Sequence, residues 1–195
     1  MNELLQAFAE AHAAGQDQLL RVVHFEAHGR DLVVRLKGED IGDWEVTCTR
    51  VGRYVVSNAA TRGDSLEVAD EHPLLWEDCA AWGRLSFHGD VGNPVRVVIE
   101  LLAAHRRATR GLVPFERYWT RSLPPWELLA GRYGELAHGP MPLIQVYQQV
   151  IDRQGVTSAI AASRPAPEGH PRIIVMGATS IIADGFAARR YPPGE

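Results

Sequence analysis

The chain has almost no lysine and very little cysteine. Lys37 stands alone against 19 arginines, a bias that reads as the codon usage of a GC-rich genome rather than a functional choice. The two cysteines, Cys48 and Cys79, form no ligand-type spacing. Neither a disulfide framework nor a cysteine metal site is therefore expected, and both read as buried free thiols. No run approaches the roughly 20 apolar residues that a membrane helix needs. The opening MNELLQAFAEAHAAG has an acid where a signal peptide has a basic region, which predicts a cytoplasmic protein. HExxH, HxH, paired CxxC and GxSxG are all missing, so no metal, no cofactor and no catalytic residue is assigned from motifs.

What is present is an ordinary globular composition. With 195 residues, 46% of them apolar, the chain can build a sizeable core. Charge is uneven: residues 1–92 carry 16 acids and 8 bases, residues 93–132 carry 7 bases and 3 acids, and the total is −4. An acidic face can steer a basic partner, but the reading preferred here is the plainer one, a solvated surface.

The best-defined element is a helix at about 94–108. Asn93 is a good N-cap and Pro94 sits at the first helical position, where its missing N–H costs nothing. Val95, Val98, Ile99, Leu102 and His105 recur at three- and four-residue steps and predict one buried stripe. A first helix is expected over 3–14, ended by Gly15, and another over 142–154 with Leu143, Val146, Tyr147, Val150 and Ile151 inward.

Strand-like runs fill residues 19–87. Arg21–Ala27 and Asp31–Lys37 flank His28-Gly29-Arg30, a hairpin candidate, and Trp44–Thr49 and Arg53–Ser57 flank Val51-Gly52, a second. Ser65–Ala69 and Ala80–Phe87 complete about six strands. Trp44, Val46 and Cys48 alternate with polar residues, which favours an antiparallel sheet with one wet face. The expected fold is α+β: an antiparallel sheet of about six or more strands packed on one side by the central helix, with the N-terminal and 142–154 helices. It is read as a single domain over 1–195, with 164–171 a Pro-rich loop before a C-terminal strand pair.

The C-terminal IIVMGATSIIADGFAARRY resembles the first strand, Gly-rich turn and helix of short-chain dehydrogenases, on Gly177, Thr179 and Ser180. That family needs further βαβ units beyond this motif and a Tyr–x–x–x–Lys pair, which Lys37 does not supply. The dehydrogenase reading is rejected in favour of a closing strand pair.

Two candidate sites remain. PFERYWTRSLPPW gathers Phe115, Tyr118, Trp119 and Trp126 with Arg117 and Arg121, the residue types of binding hot spots. The plainer alternative is that these aromatics anchor an irregular segment while the arginines reach outward. His88 and Asp90, at the turn before the central helix, with Glu116, make a candidate polar pocket for acid–base work. Asp90 has the competing role of bonding its own turn, and His105 that of a core histidine bonded to a carbonyl. The expected function is a non-enzymatic protein-interaction or regulatory module, inhibitor- or immunity-like and bacterial, acting through a protein partner or self-association. The alternative is a small enzyme or small-molecule binder. Net negative charge and the lack of a nucleic-acid signature argue against nucleic acid.

Overall fold

The computed structural model describes residues 1–14, 19–59, 61–62, 66–120 and 123–192. The expected helix stop at Gly15 lies outside the described residues. In chain order the elements are α1 (Asn2–Ala13), β1 (Leu19–His28), β2 (Asp31–Gly38), β3 (Gly42–Thr49), β4 (Arg53–Val55), β5 (Thr61–Arg62) and β6 (Leu66–Ala69). Then come α2 (Trp76–Cys79), β7 (Trp82–His88), α3 (Pro94–Thr109), α4 (Pro125–Ala130), β8 (Tyr133–Pro140), α5 (Met141–Asp152) and β9 (Thr157–Arg164). The chain closes with β10 (Arg172–Met176), β11 (Thr179–Ala183) and β12 (Gly185–Arg190). Every strand pairing among the described residues is antiparallel, and the class is α+β.

The residues form two compact units, 1–71 with 169–195, and 72–168. In the first, a sheet ordered β12-β3-β2-β1-β5 and a second ordered β4-β11-β10-β6 share one core. Leu32, Val34 and Leu36 of β2, Trp44, Val46 and Cys48 of β3, and Leu4 and Phe8 of α1 are buried together. The hairpin at Gly29 forms, with Gly29 in the left-handed region that only glycine enters readily. The second expected hairpin does not. After β3 the chain turns at Arg50, itself left-handed at φ 52°, and β4 pairs with β11 in the other sheet. The Val51 amide donates to Arg30 O and the Gly52 amide to Ile182 O, so the turn bridges sheets instead of joining neighbours. The C-terminal segment is a hairpin, β10–β11, that continues into β12, where it completes the first sheet beside β3. Gly177, Thr179 and Ser180 of the dehydrogenase-like motif thus lie in strands and their turn, with no helix after them.

In the second unit β7 lies between β8 and β9. Gly83, Leu85 and Phe87 face inward, and Leu85 and Phe87 join Leu136, Ala137, Leu143, Ile144, Tyr147 and Ile151 in its core. The helix lying closest on this sheet is α5, with α3 packed against α5 and α4. The central helix joins the core of this unit as expected, Val97, Leu101 and Ala104 lying in one cluster with Leu85 and Phe87. The expected buried stripe is corrected here: α3 buries Val97, Leu101, Ala104, His105 and Thr109, not the stripe through Val95 and Ile99. The Asn93 cap holds as expected, its Oδ1 accepting from the Arg96 amide at 3.0 Å. β8 and β9, YGELAHGP and TSAIAASR, carry too much Gly, Ala and Ser to announce themselves as strands.

Candidate functional site

A groove of about 550 Å³ opens beside α3 in the second unit. One wall is Val98 and Leu102 of α3; the other is Phe115, Glu116, Trp119 and Thr120, closed off by Leu123, Pro124, Pro125 and Trp126. Pro124 and Pro125 shape this wall. They exclude a continuous helix from the preceding segment, and Pro125 opens the short α4, which holds Leu128 and Leu129 in the core and leaves Trp126 half exposed.

Beyond the groove, exposed apolar side chains continue along the helix. Val95 and Ile99 are 59% and 61% exposed, two turns and one turn from Leu102 on the same side of α3. Apolar residues therefore cover more than half of the α3 circumference, at about 100° per residue. One arc is spent on the core and the other is left in water. Sequence periodicity found the second arc and assigned it to the core, because Val95, Val98, Ile99 and Leu102 spell a cleaner repeat than Val97, Leu101 and Ala104.

A buried polar pin holds α3 in this rotation. His105 is almost fully buried, with Nε2 2.6 Å from Val113 O and Nδ1 2.7 Å from the Tyr147 hydroxyl. The neutral ring satisfies both contacts: Nε2–H donates to the carbonyl and Tyr147 O–H donates to Nδ1. Burial lowers the His105 pKa below its ordinary value, opposed by the Val113 bond and by Glu116, and burial raises that of Tyr147. Phe115 packs edge-on against His105 at 5.5 Å and lies 5.2 Å from Trp119, so the groove floor is tied to the pin.

This arrangement has a pH signature. The unfolded chain takes up the His105 proton more readily than the folded one. The stability contributed by the neutral ring is thus fully present above the unfolded value of about 6.5 and is lost as pH falls below it toward the lower folded value. Urea unfolding at pH 7, 6 and 5 is expected to show a decline of at most about 1.4 kcal/mol per pH unit from this group. The decline is expected to be shallower by that amount in His105→Gln.

The expected aromatic–arginine cluster is split. Phe115, Glu116, Trp119 and Trp126 meet at the groove. Arg117 and Tyr118 turn away to Glu77, Arg117 through a two-nitrogen fork at 2.5 Å to each carboxylate oxygen and Tyr118 through a 2.8 Å hydrogen bond. Gly139 lets this happen, since a Cβ there would meet the Tyr118 ring at 2.9 Å. Arg164 adds a bond to Glu77 O and lies 4.4 Å over the Trp82 ring. Arg121 lies outside the described residues. The indole Nε1 of Trp119 is buried without a hydrogen-bond partner among the described residues.

The polar trio is not gathered in this groove: Glu116 lines it, and His88 and Asp90 do not. His88 is exposed at the end of β7. Asp90 accepts from the Gly92 amide at 2.8 Å and pairs with Arg132 at 2.9 Å, and so holds its own turn. No family model, curated protein or solved structure shows a significant match to this chain. His138 Nε2 and Ser163 Oγ meet at 2.9 Å, but the described residues supply no carboxylate to orient the imidazole. No described group of three or more His, Cys, Asp and Glu side chains is arranged to hold a metal ion. No described helix is long and apolar enough to cross a membrane. Both cysteines are free; Cys48 is buried, which pushes its thiol pKa up to about 12, and Cys79 is half-buried.

Proposed function

We propose that the chain is a non-enzymatic protein-interaction module, inhibitor- or immunity-like, that receives an apolar segment of a partner protein along α3 and the groove beside it. The observation that carries this reading is the second apolar arc of α3. Val95, Ile99 and Leu102 run into Leu123 and Trp126 as one exposed apolar strip. Contiguous apolar surface of this kind marks interaction sites, and an i, i+4, i+7 series is the pattern by which an amphipathic helix is read. Trp126, 50% exposed at the rim, is the residue type most enriched among binding hot spots. The free thiols favour a reducing compartment such as the cytoplasm.

A photo-crosslinking residue placed at Ile99 or at Trp126, in the organism of origin, is expected to trap one protein species. The same residue at exposed Arg153 is expected not to. Adducts of equal yield from all three positions, or none from the first two, contradict the reading.

A second reading, an apolar small molecule in the same groove, draws on its volume, which falls in the usual range for ligand sites, and on the polar Glu116 and Thr120 in its wall. Native mass spectrometry separates the two: a small ligand adds one constant mass increment to the chain purified from its source, and a protein partner does not.

A further inference from the structure

We propose that the outer edge of β1 is a self-association site at which two copies of the chain pair antiparallel about a twofold axis through Phe25. The first unit has four sheet edges, and three are blunted. β4 and β6 are 3 and 4 residues long, and β12 ends in Arg189 and Arg190. Short strands and edge charges are the usual defences against strand addition. β1 has neither. Its neighbour β5 covers only Leu19 and Leu20, and beyond them the described residues place no strand on that side. Val23 and Phe25 on this open length are 53% and 49% exposed.

The hairpin fixes which backbone groups face outward. His28 pairs with Asp31 across a two-residue turn, so these two residues exchange backbone hydrogen bonds. Bonded and non-bonded pairs then alternate from His28 to His24, where a bulge at Val23 shifts the register. Glu26 and His24 spend their N–H and C=O groups on Val33 and Arg35, whereas Ala27 and Phe25 present theirs to the open side. A twofold axis at Phe25 sets this residue opposite its own copy in a bonded pair, with Ala27 opposite Val23. Among the described residues no strand pairs with Val22–His28 on this side, the segment that this register requires.

Side chains agree with that register. Phe25 and Ala27 share the face of buried Val34 and Leu32, so pairing covers the exposed ring with its symmetry mate. On the opposite face His24 stands across from Glu26 of the second copy, and Glu26 across from His24, an acid and an imidazole in both places. Within one chain Glu26 already approaches His24 and His28 at 3.8 and 3.5 Å. Across a cleft of about 580 Å³, Val22–Phe25 of this edge face Val56–Asn58 of the same chain. The second copy satisfies the occupancy that an isologous interface demands, since one strand supplies both halves.

Sedimentation velocity on the full chain, from low micromolar to several hundred micromolar, tests this. The parent chain is expected to shift from one-chain to two-chain mass. Phe25→Pro removes an outward donor without touching the β1–β2 ladder and is expected to remain monomeric. His24→Glu sets carboxylate against carboxylate and is also expected to be monomeric. The double variant H24E/E26K restores opposite charges and is expected to recover the dimer, which keeps the test decisive should the proline variant fail to fold. A parent chain that stays monomeric throughout, or a dimer that survives H24E, overturns the proposal.

Discussion

Leu101→Ala is expected to destabilise the second unit by about 2–5 kcal/mol, and Ile99→Ala, two residues away on the same helix, by no more than about 0.5 kcal/mol. Leu101 is fully buried among the core side chains, so truncation leaves a cavity that the packed neighbours fill only in part. Ile99 is 61% exposed and loses little. The contrast is the energetic form of the rotation assigned to α3. Had the helix turned its Val95–Ile99 stripe inward, the two costs would be reversed. Chemical denaturation followed by circular dichroism reads both, provided the slope of free energy against denaturant is unchanged between variants.

His105→Ala is expected to cost about 3–5 kcal/mol at pH 7, more than an aliphatic truncation of similar volume. The substitution removes a buried ring and strands two groups at once, the Tyr147 hydroxyl and the Val113 carbonyl. Each buried, unpaired polar group costs about 1–3 kcal/mol. Tyr147→Phe, which strands only His105 Nδ1, is expected to cost less than His105→Ala. The comparison separates the hydrogen-bond contribution from packing, because the phenyl ring keeps the contacts of Tyr147 with His105 and Phe115.

Much of the fold is legible in the residues. Asn93-Pro94 marks the start of α3, Gly29 marks the β1–β2 turn, and the alternation of Trp44, Val46 and Cys48 marks a half-buried strand. What the residues hide is partnership. Val51-Gly52 reads as a hairpin because two strand-like runs flank it, but the choice of β11 over β3 as the partner of β4 is made by non-local packing. β8 and β9 escape notice for a different reason: Ala, Gly and Ser strands have little intrinsic preference, and here the core behind them decides.

The candidate site was half legible for a related reason. The aromatic segment after Pro114 draws attention by composition, and Phe115, Trp119 and Trp126 do meet at one groove. Arg117 and Tyr118 are indistinguishable from them in the sequence, and only the position of Glu77, 40 residues earlier, shows that they serve as anchors. The α3 half of the groove was visible as a pattern and assigned to the wrong side. Two apolar arcs on one helix compete for the core, and the winner is set by the His105 pin and by α5, neither of which periodicity contains.

The proposed partner-binding role rests on α3 keeping an apolar strip free for another protein. Carbene footprinting of the purified chain, and of the complex recovered by the crosslinking experiment, tests that most directly. The account predicts heavy labelling of Val95, Ile99, Leu102, Leu123 and Trp126 in the free chain, with Leu101 and Ile144 unlabelled, and protection of the first five in the complex. Equal labelling of Ile99 and Trp126 in the free and bound chain would contradict it.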